Sequence, residues 1–208
     1  MITAFLYGLI LALGLILPLG PQNMFILNQG SKGRSFKHAL PAVITAASCD
    51  TILILLASLG VSLFILQHPL IEKILLVVGI LFLCYLGVSI WVSAKRNQTK
   101  FPGKTRQTLP AKKQILFCAS VSILNPHAIL DTIAVIGSNA MLFKGAAHVT
   151  FTAACIGVSW LWFISLAAFG KFISRFEKFK FYQDRFSAIV ILLSAANLLY
   201  RLVLIVGL

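Results

Sequence analysis

Acid is what this chain has least of: five Asp+Glu stand against 18 Lys+Arg in 208 residues. Charged residues of either sign make up only 11%, where a soluble domain carries about 25%. With 59% apolar residues and a mean hydropathy of +0.95, a soluble globular class is excluded. The formal charge of +13 would point to nucleic acid in a soluble protein. Here the basic residues fall in the gaps between apolar runs, where orientation in a membrane accounts for them, so nucleic acid is not a partner. No Gly-x-x-x-x-Gly-Lys-Ser/Thr run occurs, which removes the usual nucleotide cradle. Cys49, Cys84, Cys118 and Cys155 lie singly in apolar runs with no C-x-x-C pair, which argues against a disulfide frame or metal knuckle and reads as small buried hydrophobes. Four histidines, at 38, 68, 127 and 148, are scattered and supply no nucleophile–base or metal set. Neither an enzyme nor a cofactor or resident metal is expected. Met1-Ile2-Thr3-Ala4-Phe5 lacks a basic n-region, so no cleavable signal peptide is expected.

What is present is a series of apolar runs long enough to cross a bilayer, which takes roughly 20 residues. They cover about residues 3–29, 39–66, 71–93, 114–142, 147–169 and 186–207. The intervening loops after the first, third and fifth runs hold three, seven and five Lys/Arg, against Lys73, Lys144 and Arg201 on the other side. The positive-inside rule makes the first set cytoplasmic and both termini periplasmic. The stretch 94–113, with Pro102, Gly103 and Pro110 and no acid, reads as a solvated basic cytoplasmic linker. It divides an N-terminal three-helix repeat, 1–93, from a C-terminal one, 114–208.

Two of the runs are interrupted. Gly20-Pro21-Gln22-Asn23 breaks the first, and Asn125-Pro126-His127-Ala128 breaks the fourth. Proline has no N–H and clashes with the carbonyl one turn back, so each helix must kink or split. In hydrocarbon, backbone freed this way survives only where it faces protein or a water-lined cavity. Thr45-Ala46-Ala47 answers Thr152-Ala153-Ala154, and Leu56 to Gly60 answers Leu166 to Gly170, in the same order. Three spans per half set the halves in opposite orientation. The fold class expected is therefore all-α integral membrane. Six transmembrane helices form a 3+3 inverted repeat, with helices 1 and 4 broken at Gly-Pro and Asn-Pro.

Three of the acids, Glu72, Glu177 and Asp184, lie near span ends, but Asp50 and Asp131 lie mid-span. An acid there costs about 2.5–3.5 kcal/mol on insertion scales and commonly marks a pathway. Asp50 and Asp131 are therefore candidates for binding a cation or carrying a proton. His127 and Asp131 stand one turn apart on one face, either as an oriented pair and proton relay or as a satisfied polar residue beside a kink. Carbonyls freed at Pro21 and Pro126 accept from an ammonium. The N–H groups that open a half-helix after Gly20 or Asn125 receive a carboxylate, and Gln22, Asn23 and Asn125 add amides. The set Gly20, Pro21, Gln22, Asn23, Asp50, Asn125, Pro126, His127 and Asp131 suits a zwitterion with a cationic side chain. The same groups would also hold a metal ion or a polyamine.

Pro18 to Asn23 with Gln29-Gly30, Ser48-Cys49-Asp50-Thr51 and Asn125 to Thr132 resemble the bacterial lysine/arginine exporter (LysE/ArgO) family over nearly the whole chain. The resemblance implies export of L-arginine or L-lysine across the inner membrane, driven by an ion gradient without ATP. Exporting one positive charge against a negative-inside potential costs about 2.3 kcal/mol per 100 mV, and exchange for an incoming proton offsets it. The partners implied are a basic amino acid, a coupling ion, H+, and membrane lipid, with a homodimer left open. The rival substrates are another amino acid of the homoserine/threonine type or a divalent cation, the latter disfavoured for soft metals by the absence of clustered cysteine.

Overall fold

The computed structural model describes residues 1–32, 35–60, 69–100, 109–173 and 177–206. Among them there are helices and turns and no strand. The elements are α1 (Ile2–Ile16), α2 (Pro21–Lys32), a 3-10 turn (Phe36–Ala39), α3 (Leu40–Ser58), α4 (Pro69–Lys100) and α5 (Ala111–Leu124). They continue with α6 (Pro126–Asp131), a π-helical segment (Thr132–Gly137), α7 (Ser138–Ala140), α8 (Ala146–Ile173) and α9 (Glu177–Val206).

Three stretches are each long and apolar enough to cross a membrane: Phe36–Ser58, Ala146–Ile173 and Arg185–Leu204. The pair α1 and α2, bent by 82°, qualifies when taken as one span, as does α5 with the segments that follow it. Leu76–Val92 within α4 is a shorter apolar stretch. α3 ends at Ser58, and Gly60 just after it takes φ +89°, a left-handed conformation that closes a helix. Residues 61–66, the rest of the second run, lie outside the described residues. Gln67 and His68 of the turn expected there lie outside the described residues.

α8 is the axis of the fold. Small residues one turn apart, Ala4, Gly8 and Ala12, bring α1 against its first half. A Cβ on Gly8 would stand 2.8 Å from the Phe151 carbonyl oxygen. Further along, Gly30 of α2 meets the Ala167 backbone and Gly170 of α8 meets the Leu27 backbone, a reciprocal crossing with no room for a side chain on either helix. From Phe151 to Gly170 the axis rises roughly 28 Å at 1.5 Å per residue. That nearly equals the ~30 Å hydrocarbon core. The bent pair α1–α2 thus meets α8 near both ends of that length, α1 at Phe151 and α2 crossing it at Ala167 to Gly170.

α2 is unusual for lipid because it is polar. Asn23, Asn28, Gln29 and Ser31 are all buried. Such a half-helix is stable only inside protein, where its amides find partners. Asn28 Nδ2 donates to Ser187 Oγ on α9 at 2.7 Å. Gln29 Oε1 accepts from the Leu109 N–H at 3.1 Å. Gln114 Nε2 donates to the carbonyls of Leu109 and His38, at 2.7 and 2.9 Å. These bonds gather Asn28, Gln29, His38, Leu109, Gln114 and Ser187 at one end of the molecule. At the other end Tyr7 donates to Asn139 Oδ1 at 2.7 Å, and the His148 ring nitrogen Nε2 lies 3.1 Å from the Ser58 carbonyl oxygen.

The remaining core lies between α4 and α9, where Leu76, Leu83, Ile191 and Leu198 are fully buried, with Val121 of α5 and Leu130 of α6 closing it inward. Cys118 and Cys155 are buried as small hydrophobes; Cys84 is exposed and Cys49 half-buried, because their helices turn those positions outward.

Candidate functional site

Both broken runs restart in the same way. Gly20 accepts from the Met24 N–H at 3.0 Å and so caps α2, with Pro21 at its first helical position. Asn125 accepts from the Ile129 N–H at 3.2 Å and caps α6, with Pro126 at its first position. Proline suits that place because its missing N–H has no partner there in any case. Asn125 itself is extended, with φ −96° and ψ 93°, as a residue before proline prefers.

Two carbonyls at the first break are met by a side chain. Asn23 is buried, and its Nδ2 donates to the carbonyls of Ile16 and Pro18, both at 3.0 Å. Both N–H groups of Asn23 are therefore committed to closing the break, and only its oxygen faces elsewhere. Gln22 reaches across to the second break. Ser122 Oγ, four residues before Pro126, donates to Gln22 Oε1 at 2.8 Å. This bond joins two segments 100 residues apart in the chain. Beside it remain a buried donor, Gln22 Nε2, and a buried acceptor, Asn125 Oδ1, each without a protein partner among the described residues. An unmet buried polar atom costs roughly 1–3 kcal/mol, so such a pair is retained where something else meets it.

From the bridge toward the end that holds Gln29, α2 and α5 run side by side in opposite directions. Phe25 stacks on Phe117 with ring centroids 3.9 Å apart. Gln29 then meets Leu109. The contact stripe is amide, aromatic, amide.

Asp50, half-buried in the middle of α3, accepts from Ser159 Oγ of α8 at 2.8 Å through Oδ2. Thr51, the next residue, accepts from Trp160 Nε1 at 3.1 Å and donates to the Ala47 carbonyl at 2.7 Å. Two neighbouring residues on each helix thus form one clamp. Asp131, also half-buried, ends α6. Its Oδ1 lies 3.4 Å from Nη1 of Arg201 on α9. Just after it the chain enters the π-helical segment, and Ser138 and Asn139 catch the carbonyls released there. Ser138 Oγ bonds the Ala134 carbonyl, and Asn139 Nδ2 donates to the Val135 carbonyl at 2.7 Å.

The structure therefore brings Gln22 and the second break together, and it gives Asp50 and Asp131 partners on α8 and α9. The side chains of Pro126 and His127 lie outside the described residues, and with them the His127–Asp131 pairing. Sequence reading missed Ser159 and Trp160, whose one signal is a polar residue inside an apolar run. It treated Arg201 as a flanking charge, whereas the guanidinium turns back to Asp131. Among the described residues no group of three His, Cys, Asp or Glu is placed to hold a metal ion.

Comparison with known proteins gives this geometry a context. The family model described as LysE type translocator matches residues 13–202. A Bacillus subtilis protein named "Putative amino-acid transporter YisU" is 46% identical over 175 residues, covering 84% of this chain and 78% of that protein. The arginine exporter protein ArgO of Yersinia enterocolitica is 32% identical over 174 residues, covering 84% and 83% of the two chains. ArgO of Klebsiella pneumoniae is 32% identical, covering 84% and 81%. No solved structure matches.

Proposed function

We propose that this chain, which belongs to the LysE type translocator family and so is a multi-pass amino-acid transporter and not an enzyme, exports basic amino acids across the bacterial inner membrane. L-arginine and L-lysine are the substrates, and an incoming proton is the coupling ion. The observation that carries this reading is the bridge between the breaks. Gln22 Nε2 and Asn125 Oδ1, left unmet beside the Ser122–Gln22 bond, are one donor and one acceptor. A carboxylate takes the first and an ammonium the second. These two atoms, with Gly20 and Pro21 opening α2 and Asn125 and Pro126 opening α6, hold the zwitterionic end. His127 stands in the same turn. Asn23 keeps the first break in shape. Asp50 and Asp131 are the two acids that share the substrate's side-chain cation and the proton.

The architecture behind this is a 3+3 inverted repeat of residues 1–93 and 114–208 about a cytoplasmic linker, 94–113. Two things support it. The helix neighbours are unchanged when the halves are exchanged. The α1–α2 pair packs on α8, and α5 with the π segment packs on α3. α3 meets α8, and α4 meets α9. The polar ends also sort by charge. The end holding Lys32, Lys37, Lys112, Lys113 and Lys171 is the one where the bonds of Gln29 and Gln114 gather the chain. The opposite end holds Tyr7, Asn139, Lys144 and His148. The first end is cytoplasmic and both termini are periplasmic on the positive-inside rule.

Substrate is the finer question, since the 46% relative's name specifies no amino acid. Two acids in a chain with five favour a cation. Counterflow of labelled arginine, lysine and threonine in vesicles of purified protein decides it. Arginine and lysine exchange and threonine does not. Threonine exchange without arginine exchange would sink the basic-substrate reading.

A further inference from the structure

From the 3.4 Å contact between Arg201 and Asp131, we infer that Arg201 is a built-in stand-in for the substrate's cation. It occupies Asp131 while the carrier is empty and is displaced by a guanidinium or ammonium arriving from the cytoplasm. This rests on the exporter reading above and deepens it, because it assigns a selectivity role to a residue outside the binding set.

Placement comes first. α9 leaves the basic end near Ser187, which Asn28 bonds, and runs away from it, so Arg201 sits in its far half. α5 also starts at the basic end, at Leu109 to Gln114, and α6 follows it beyond the bridge, so Asp131 is likewise in the far half. The stacked Phe25 and Phe117 lie on the opposite side of the Gln22–Ser122 bridge, toward the basic end. A substrate leaving the bridge outward therefore meets the Asp131–Arg201 pair.

Chemistry comes second. Arg201 offers the donor fork that arginine itself offers, and a carboxylate accepts either. With side-chain exposures of 40% and 29%, neither partner is locked inside the protein core, so the pair can exchange without breaking a packed core contact. An unpaired mid-span carboxylate in an empty carrier would attract any external cation, and a negative-inside potential would draw that cation inward. A guanidinium held at Asp131, in the half beyond the bridge, opposes this by repulsion. A substrate arriving from the cytoplasmic side is held at the bridge first, and its cation then exchanges with Arg201 at Asp131.

The test compares labelled L-arginine entry from each face, using right-side-out and everted membrane vesicles containing Arg201→Gln or Arg201→Met. Either variant lowers the outer-face KM about fivefold, the scale of a partly exposed ion pair. The inner-face KM stays within about twofold. Passive entry driven by an inside-negative potential rises in the same proportion. Arg201→Lys, which keeps the charge, restores the wild-type difference between faces. An unchanged outer-face KM overturns the inference. So does an equal loss at both faces that tracks the amount of folded protein, which is what a packing role gives, and so does an asymmetry of the opposite sense. A wild-type protein that moves no arginine at all fails the exporter reading instead, and is recognised before any variant is made.

Discussion

At the first break a side chain turns back and fills the gap: Asn23 gives both its amide hydrogens to Ile16 and Pro18. At the second break the corresponding work is absent among the described side chains. Asn125 caps the next helix through its backbone and leaves its side-chain oxygen unmet. Downstream the contrast repeats. α2 continues as a regular helix of 12 residues, while α6 lasts 6 residues and passes into a π-helical segment. A π segment disturbs the regular ladder and recurs at functional sites. The two breaks share a start and differ in finish. At the first, Asn23 closes the carbonyls before the break; at the second, Asn125 Oδ1 stays unmet among the described residues.

The largest effect that can break this comparison comes from the acids. Asp50→Asn and Asp131→Asn should each reduce pH-driven arginine efflux from vesicles to background. If both variants keep wild-type coupling, the acids are packing residues and the site loses its cation half. Next in size is Asn23→Ala, which removes both side-chain bonds that close the first break, to the carbonyls of Ile16 and Pro18. It should destabilise the folded protein by about 2 kcal/mol and lower its melting temperature in detergent, with little change in KM once folded protein is counted. Asn125→Ala should do the reverse. The melting temperature holds, and KM rises about threefold to tenfold, the worth of one neutral hydrogen bond. If Asn125→Ala shifts stability and Asn23→Ala shifts KM, the roles of the two breaks are exchanged. The smallest effect belongs to Ser122→Ala, which removes the bridge and costs roughly 0.5–1.5 kcal/mol. Melting curves of Ser122→Ala and Gln22→Ala, alone and combined, should show them to be non-additive, since they cut one bond.

Some of this could be read from the chain before any coordinates. Pro21 and Pro126 act through their own ring and missing N–H, so their effect is local and visible in a single sequence. Asp50 and Asp131 stood out because acids are so scarce here. What stayed hidden depends on distance along the chain. Ser122 and Gln22 are 100 residues apart, and Ser159 and Asp50 are 109 apart. Nothing in local spacing joins them. Arg201 was legible as a charge but not in its direction. Gly60 was legible only as part of a repeated stretch, because the apolar run around it hid its left-handed turn. The π segment Thr132–Gly137 carries no composition that marks it.

The glycine crossing of α2 on α8 bears on how such a carrier would alternate. Gly30 rests on Ala167 and Gly170 on Leu27 with backbone against backbone, a joint with no side chains to slide or repack. Near the opposite end Gly8 docks α1 on the same helix. Span one is thus riveted to α8 above and below its elbow and must travel with it as a single beam. In the proposed exporter, rocking of the two halves would then be taken up at the partner elbow, at Asn125 and the π-helical segment behind it.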